Sequence, residues 1–233
     1  MAKTSYARLL AAFRRRVVRA LLDKTYLKSR ATLIDAEQAG DFGAGAPTAG
    51  GTVYLTAADS DGMMVCFIQS NYSGFGSGVA VPETGIHLQN RGLGFTLQPG
   101  HPNQVGPRKR PFHTIIPGFI MKTGGPLTSF GVLGGPMQAQ GHLQMLLRMN
   151  VFGQDPQAAS DAPRWRFVSG RKLALEAEMP PETVAALRRL GHEITMESPD
   201  QAFAFGGAQI IHRLEHGYVG GSDHRKDGAA IGF

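Results

Sequence analysis

The feature that most constrains this chain is an abrupt change of composition at Thr52. Residues 35–51, with the sequence DAEQAGDFGAGAPTAGG, show no apolar periodicity and consist mostly of small residues, which predicts a flexible linker. Two runs of strand-type residues follow, TVYLTAAD and MMVCFIQS, joined by Asp59-Ser60-Asp61-Gly62. A polar, glycine-containing turn between such runs predicts a β-hairpin. The linker therefore leads directly into a hairpin whose first residue carries a hydroxyl group.

Positive charge is concentrated at the start of the chain. Residues 1–34 contain nine Lys and Arg residues and one acidic residue, whereas residues 35–233 contain fifteen basic and seventeen acidic residues. A nucleic-acid-binding domain needs cationic groups spread over one face with aromatic residues among them, and residues 35–233 lack this pattern. We therefore expect no nucleic-acid partner. The alternative, binding through the basic segment, predicts salt-sensitive binding that is lost when residues 1–34 are deleted.

Residues 1–34 are predicted to form a basic amphipathic helix. Six apolar residues recur at helical spacing and fall close to one face: Leu9, Leu10, Phe13, Val17, Leu21 and Leu22. An Arg-rich, acid-poor segment is also typical of a transit peptide, but this one lacks the apolar stretch and cleavage site of a secretory signal. We favour a surface helix and expect a cytoplasmic location, or a periplasmic one if a signal has been lost by truncation.

Glycine-marked turns divide the rest of the chain. The run SFGVLGG ends at Gly134-Gly135 and precedes PMQAQGHLQMLLRMNVFG, which predicts a strand, a glycine turn and a helix. This geometry directs backbone N–H groups toward one point. A further helix is predicted to begin at Pro181 and to end before Gly191, and a strand pair is predicted around Glu215-His216-Gly217. The apolar residues expected on the buried face of the first helix are Leu143, Leu146, Leu147 and Val151.

Several kinds of site are disfavoured by the sequence. The single cysteine, Cys66, lies between Val65 and Phe67 and is interpreted as a small core residue. The eight histidines are scattered, without the helical spacing of a ligand pair, so no metal is expected. The Gly-rich stretch 74–92 contains neither a Walker pattern nor a G-x-G-x-x-G that opens a helix, so no nucleotide or other cofactor is expected. No run of about 18 apolar residues exists, so no membrane span is expected.

The order of the motifs resembles the small-subunit region of the γ-glutamyltransferase (γ-glutamyltranspeptidase) family, closest to its acylase-like branch. The resemblance covers about residues 20–233, and the motifs occur in family order. The motifs are Gly51-Thr52-Val53-Tyr54, Asp59-x-Asp61-Gly62, Ser70-Asn71-Tyr72-x-Gly74-Phe75-Gly76-Ser77-Gly78, Gly85-Ile86-x-Leu88-x-Asn90, Gly134-Gly135, Asp161-Ala162-Pro163-Arg164 and Ser222-Asp223-x-Arg225.

The resemblance implies an α+β fold, the αββα four-layer sandwich of an N-terminal-nucleophile hydrolase, present here only in its small-subunit part. Residues 52–233 would form the catalytic small-subunit-like domain, and residues 1–34 would be the end of the large-subunit region. The missing strands would leave a sheet edge and an apolar face open. A large-subunit region or a partner chain is therefore expected to cover them.

The resemblance also implies a mechanism. The precursor would cut itself between Gly51 and Thr52, and Thr52 would become the nucleophile. A threonine hydroxyl needs a base, and a freed α-amino group with a pKa near 7.7 to 8.0 supplies one on the same residue. The N–H groups of Gly134 and Gly135 are expected to form the oxyanion hole. Ser70 matches a family threonine that supports the nucleophile through its hydroxyl.

The expected substrate-binding residues depart from the glutamyl-binding pattern. Tyr72 stands where an Asn is usual, and Arg91 stands where a Gln or Glu is usual. His113 and Thr114 match a pair of serines that hold the substrate carboxylate. Asn90, in the family motif, is included in the same set. Because Arg91 would repel a substrate ammonium group, we expect an anionic or neutral acyl group rather than glutathione itself.

Two functions follow from this sequence. The first is an amidohydrolase or acyltransferase that cleaves γ-glutamyl or glutaryl-type amides through an acyl-enzyme, with water or an amine as the acceptor. The alternative is a non-catalytic, truncated remnant or interaction subunit that needs a partner chain. A new N-terminus at Thr52 would distinguish the enzyme from the remnant.

Overall fold

A computed structural model describes residues 52–197 and 204–233, together with the single positions 24, 28, 37 and 38. The predicted helix of residues 1–34 and the predicted linker of residues 35–51 lie outside the described residues, apart from those four positions. The described part begins at Thr52, so the structure covers the residues on the C-terminal side of the predicted cleavage point.

Eleven strands and three α-helices make up the described part. The helices are α1 (Met137–Asn150), α2 (Pro156–Asp161) and α3 (Pro181–Arg189), and a short 3-10 helix spans Arg91–Gly94. The strands are β1 (Val53–Ala58), β2 (Met64–Gln69), β3 (Ala80–Val81), β4 (Ile86–His87), β5 (Gly118–Lys122), β6 (Gly125–Leu133), β7 (Trp165–Ser169), β8 (Lys172–Glu176), β9 (Glu193–Glu197), β10 (Gly207–Arg213) and β11 (Tyr218–Ser222). The predicted hairpins and the predicted helix at Pro181 are therefore present, and the mixed α/β class is confirmed.

The strands form four sheets. β1 and β2 pair as an antiparallel hairpin, β3 and β4 form a second small hairpin, and an antiparallel sheet has the order β11-β10-β6-β5. In the remaining sheet, β7-β8-β9, strands β8 and β9 run parallel because α3 connects them as a crossover. Pro181 in the first turn of α3 and Gly191 after its end fit the usual start and end of a helix.

The main core lies between the four-stranded sheet and helices α1 and α2. Its buried members are Phe130, Val132, Met145, Ala159, Ala208 and Ile210. Gly141 allows α1 to approach the sheet closely, because a Cβ atom there would lie 2.5 Å from Val132. Burying these aliphatic side chains contributes about 1.5 to 3 kcal/mol for each large one, and this attaches α1 to the sheet.

The predicted buried face of α1 is wrong. Leu143, Leu147 and Val151 are exposed, and Leu146 is only partly buried. The helix instead buries Met137, Gln138, Gly141, His142, Gln144 and Met145. Of the two buried glutamines, Gln144 bonds the backbone of Trp165 in β7 and Gln138 accepts from the N–H of Ile116. The half-buried Gln140 accepts from the N–H of Phe167 in β7. Because these polar groups form hydrogen bonds, the helix buries a different face from the one that apolar periodicity predicts.

The β1–β2 hairpin packs with one face on β6 and β10. Tyr54 lies over Gly131, where a Cβ atom would come within 2.5 Å of the tyrosine ring. Cys66 is half-buried rather than a plain apolar core residue. Its Sγ atom lies 3.3 Å from the Tyr54 hydroxyl and 3.1 Å from Ser129 Oγ. The contact between hairpin and sheet is therefore partly polar, and burial raises the pKa of Tyr54 well above its usual range.

Candidate functional site

Thr52 and Ser70 lie next to the last paired residues at the open end of the first hairpin. Val53 pairs with Gln69 across the hairpin, and the same register holds to its other end. Extending the register by one position places Thr52 opposite Ser70. Directly opposed residues in an antiparallel pair have Cβ atoms about 4.5 to 5.5 Å apart, so this extended register would make the two hydroxyl-bearing residues neighbours.

The packing of the hairpin brings Thr52 toward the Gly134-Gly135 turn. On the inner face of β1, Thr56 Oγ1 lies 2.5 Å from Ser129 Oγ, and Tyr54 covers Gly131. A step of two residues along β1 thus corresponds to two residues along β6 in the opposite direction. Because alternate residues of a strand share a face, one further step of this kind leads to Thr52 on the hairpin side and to Leu133, just before the turn, on the β6 side. Thr52 itself is half-buried.

The Gly134-Gly135 turn requires glycine at both positions. The φ angles are +130° at Gly134 and +59° at Gly135, a region that side chains disfavour. The carbonyl groups of Gly134 and Gly135 accept hydrogen bonds from the amides of Met137 and Gln138 at the start of α1. In a trans peptide the N–H group points opposite to the carbonyl group before it. The N–H of Gly135 therefore points away from α1, and it faces outward from the turn rather than into the helix.

Four predicted site residues form a buried group around Arg91, here called the Arg91 cluster: Ser70, Tyr72, Arg91 and Thr114. Arg91 is 7% exposed and donates to the Ser70 backbone carbonyl and to Thr114 Oγ1, each at 3.3 Å, and also to Ser70 Oγ. Its guanidinium lies 5.5 Å from the centre of the Tyr72 ring. Tyr72 has a φ of +78°, an uncommon angle that costs about 1 to 2 kcal/mol for a residue with a side chain.

The hydrogen bonds of Ser70 determine what its hydroxyl can do. Ser70 Oγ accepts from Arg91 and, at 3.3 Å, from the backbone N–H of Tyr72. A hydroxyl group has two acceptor lone pairs and one proton, so both lone pairs are engaged. The proton of Ser70 remains for donation, and Thr52 is the facing residue across the hairpin.

The other two predicted substrate-binding residues have different surroundings. His113 is exposed at the edge of the Arg91 cluster. Desolvation of its ring, together with the charges of Arg91 and Arg110, lowers the pKa of His113. Asn90 binds the glycine-rich loop: its side chain accepts from the N–H of Ser73 and donates to the carbonyls of Ser73 and Gly76. Both amide hydrogens of Asn90 are used within the protein, and its role in substrate binding stays a prediction.

Arg110 and Glu176 were absent from the sequence predictions. Arg110 belongs to the exposed basic run Arg108-Lys109-Arg110, and its charge acts on His113. Glu176 binds Arg225 and the N–H of Arg164 in the interior. The basic run is visible in the sequence, but its approach to His113 depends on the path of the long loop before β5. Glu176 lies in an ordinary strand, and no local signal reveals its distant partners.

In residues 52–197 and 204–233, no three His, Cys, Asp or Glu side chains gather in a way that would hold a metal ion. None of the helices described there has the length and apolar composition needed to cross a bilayer.

Comparison with protein families identifies a match over almost the whole chain. The family model described as Gamma-glutamyltranspeptidase matches residues 9–233. A Bacillus subtilis protein named "Glutathione hydrolase-like YwrD proenzyme" is 39% identical over 224 residues, which cover 91% of this chain and 41% of the relative. A Klebsiella pneumoniae protein named "Oxamate amidohydrolase proenzyme" is 37% identical and covers 93% of this chain and 42% of its own length. The chain thus spans about two fifths of these relatives.

Solved structures show the same fold. Cephalosporin acylase from Bacillus halodurans is 48% identical, with a TM-score of 0.83 over 91% of this chain and 39% of that chain. A gamma-glutamyltranspeptidase from Pseudomonas nitroreducens, 21% identical, matches 77% of this chain and 98% of its own with a TM-score of 0.69. The chain therefore has the small-subunit part of the N-terminal-nucleophile hydrolase fold, as the sequence predicts.

Proposed function

The chain belongs to the gamma-glutamyltranspeptidase family of amidase-like enzymes, and we propose that it is cut between Gly51 and Thr52 and then uses Thr52 as its nucleophile. The observation that carries this proposal is that the hairpin pairing and the packing of β1 on β6 both lead to Thr52. The hairpin pairing leads to Ser70 opposite Thr52, and the packing of β1 on β6 leads from Thr56 toward the Gly134-Gly135 turn. Support also comes from the word proenzyme in the names of both relatives.

Processing begins with an N-to-O acyl shift. The Thr52 hydroxyl attacks the Gly51 carbonyl carbon, an ester bond to Oγ1 forms, and the C–N bond between the two residues breaks. The hydroxyl proton ends on the new α-amino group. Water then hydrolyses the ester, which leaves a carboxyl group on Gly51 and restores the threonine hydroxyl. Gly51 favours the attack because it has no side chain to obstruct the approach.

Turnover uses the same hydroxyl on an external amide. Thr52 Oγ1 attacks the amide carbon while its α-amino group takes the hydroxyl proton. The N–H groups of Gly134 and Gly135 stabilise the oxyanion, an effect of about 3 to 4 kcal/mol for one donor in comparable acyl-transfer enzymes. The C–N bond breaks, the proton passes to the leaving amine, and an ester remains on Thr52. Water or a second amine then resolves the ester and returns the proton.

Ser70 has a supporting role in this proposal. Because its lone pairs accept from Arg91 and from Tyr72, its proton is directed to Thr52. Donation to Thr52 Oγ1 stabilises the negative charge that develops on the oxygen as its own proton leaves. Ser70 thus acts as a hydrogen-bond donor and does not act as the base. The α-amino group of Thr52 remains the proton acceptor.

We propose γ-glutamyl or glutaryl-type amides as substrates. The relatives include proteins named for glutathione, for oxamate and for cephalosporin. These names indicate amide substrates that differ in their acyl groups. A large-subunit region completes the fold in this proposal. The surface of this chain that binds the large-subunit region includes the outer face of the first hairpin, where Val53, Leu55 and Phe67 are exposed.

Intact-mass spectrometry of the purified chain tests the proposal. The chain is expressed alone and together with the N-terminal region of the Bacillus subtilis relative, and both samples are incubated with a glutaryl anilide. We expect a new N-terminus at Thr52, release of the aniline and a trapped ester adduct, all absent in Thr52→Ala. A chain that stays uncut in both samples and forms no adduct would support the non-catalytic alternative.

A further inference from the structure

We propose that Arg91 binds a carboxylate on the acyl half of the substrate, so that the enzyme selects short monoamides of dicarboxylic acids, from oxamate to glutaramate. The inference rests on the proposed function because it concerns the same site. It adds a substrate class that carries a negative charge and no ammonium group. Neutral amides and γ-glutamyl amides would both bind more weakly.

The first step is the charge state of Arg91. The guanidinium is 7% exposed, and its partners are a backbone carbonyl, two hydroxyl groups and an aromatic ring. The ion pairs within the described part of the chain do not include Arg91, although they include Arg164, Arg166 and Arg225. Burial lowers the pKa of Arg91, but a guanidinium stays charged in a protein. A buried cation whose neighbours are all neutral is stabilised by an anion from outside.

The second step is the charge around Arg91. His113 lies close enough to Arg91 and Arg110 for both charges to lower its pKa. Arg108, Lys109 and Arg110 are exposed on the loop that leads to Thr114. The charges of Arg91 and Arg110 therefore both act at the His113 edge of the cluster, where they attract anions and repel ammonium groups.

The third step is the distance to the reacting group. Arg91 bonds Ser70, and the hairpin register, extended by one position, places Ser70 opposite Thr52. A carboxylate bound to Arg91 is therefore separated from the nucleophile by little more than the Ser70 side chain. Only a short acyl chain connects two points at that distance. Nη2 of Arg91 donates both of its hydrogens to Ser70, so the carboxylate accepts from the N–H groups that remain on Nη1 and Nε.

Three ligands that differ by single groups test the proposal in the Thr52→Ala background, which prevents cleavage. Glutaramate carries the carboxylate, glutaramide replaces it with a carboxamide of nearly the same shape, and L-glutamine adds an ammonium group to glutaramate. Isothermal titration should show glutaramate binding about tenfold or more tightly than either of the other two, as a charge-assisted hydrogen bond predicts. Equal binding of glutaramate and glutaramide would overturn the proposal.

Substitution of Arg91 provides the second measurement. In Thr52→Ala/Arg91→Gln, the ratio of the affinities for glutaramate and glutaramide should fall to about one. Arg91→Lys should keep part of the preference for glutaramate. Arg171→Gln is the matched control, since Arg171 is an exposed arginine remote from the hairpin, and it should leave the preference unchanged. A preference that survives in a folded Arg91→Gln protein would also overturn the proposal.

The binding assay separates the two proposals. A chain that binds glutaramate through Arg91 but is never cut at Gly51 would refute the proposed nucleophile and keep the anion site. A chain that is cut and hydrolyses glutaramide as readily as glutaramate would refute the anion site and keep the nucleophile. If both Arg91 variants unfold, as judged by circular dichroism, the comparison of the three ligands on Thr52→Ala still decides the outcome.

Discussion

Two buried arginine clusters in this chain differ in how their charge is balanced. In the ion-pair cluster, formed by Arg164, Glu176, Asp223 and Arg225, the Arg164–Asp223 and Arg225–Glu176 pairs are both 2.5 Å long, and Arg164 and Asp223 are completely buried. Two arginines there meet two carboxylates. In the Arg91 cluster, the partners of one arginine are neutral.

The difference distinguishes a cluster that stabilises the fold from a cluster that is proposed to bind an anion. The ion-pair cluster connects the end of α2, the strand β8 and the segment after β11, and each of its two arginines meets a carboxylate inside the protein. Both family motifs that contain these residues, Asp161-Ala162-Pro163-Arg164 and Ser222-Asp223-x-Arg225, therefore stabilise the fold. The Arg91 cluster includes Ser70, which the extended hairpin register places opposite the predicted nucleophile, and it contains no carboxylate. Buried charge without an internal partner is what an anion-binding site requires.

The largest expected effect is loss of a carboxylate from the ion-pair cluster. Asp223→Asn should lower the free energy of unfolding by about 3 to 5 kcal/mol, because it leaves the Arg164 guanidinium buried without a carboxylate. Urea denaturation followed by circular dichroism measures the change.

The matched control for this prediction is Asp161→Asn. Asp161 pairs with His224, but both side chains are largely exposed. The expected change is about 0 to 1 kcal/mol, as for other surface ion pairs. Equal losses in the two variants would mean that burial does not distinguish the pairs.

The second effect tests the turn next to the site. Gly134→Ala should lower the free energy of unfolding by about 1 to 3 kcal/mol, because φ is +130° and the new Cβ atom would lie 2.9 Å from the Gly206 backbone. Amide hydrolysis should fall with it, since the turn carries the proposed oxyanion donors.

Gly135→Ala is the control for this prediction. Its Cβ atom would enter open space, and its φ of +59° is the left-handed value that side chains tolerate best. The expected loss of stability is therefore smaller, about 1 to 2 kcal/mol. A greater loss at Gly135 than at Gly134 would contradict this description of the turn.

The third effect is on the stability of the Arg91 cluster itself. Arg91→Met should change the free energy of unfolding by less than about 1 kcal/mol, because removal of an unneutralised buried charge offsets the lost hydrogen bonds. Urea denaturation compares it with Asp223→Asn. A loss as large as that of Asp223→Asn would show that Arg91 serves the fold and would remove the contrast between the clusters.

The sequence predicts local features of this molecule well and distant ones poorly. The first hairpin follows from its turn residues and alternating runs, and the Gly134-Gly135 turn follows from residues that tolerate positive φ. The predicted buried face of α1 is wrong because the buried Gln144 and the half-buried Gln140 bond the backbone of β7, a strand distant in sequence. Motif resemblance brought Ser70, Tyr72, Arg91 and Thr114 into one set, and the structure brings their side chains together. Their hydrogen bonds depend on loop paths that no local pattern encodes.

The smallest expected effect concerns a third buried group that can carry positive charge, His142. It is 8% exposed, its Nε2 atom is buried without a hydrogen-bond partner, and its Nδ1 atom lies 2.5 Å from the Gln138 carbonyl. Burial lowers the pKa of His142 below its ordinary value near 6.5, so the folded protein keeps this histidine neutral while the unfolded chain protonates it. Stability from this residue is therefore complete above pH 6.5 and is lost as the pH falls toward the lowered pKa.

Urea denaturation of the wild type and of His142→Gln at a series of pH values from neutral to acidic checks this prediction. The free energy of unfolding of the wild type should fall more steeply with decreasing pH than that of the variant. His113 contributes in the same direction in both proteins, so the difference in slope isolates His142. Parallel slopes would mean that the interior accepts a charged His142. An unpaired buried cation would then be ordinary in this fold, and the charge of Arg91 would no longer indicate a binding site.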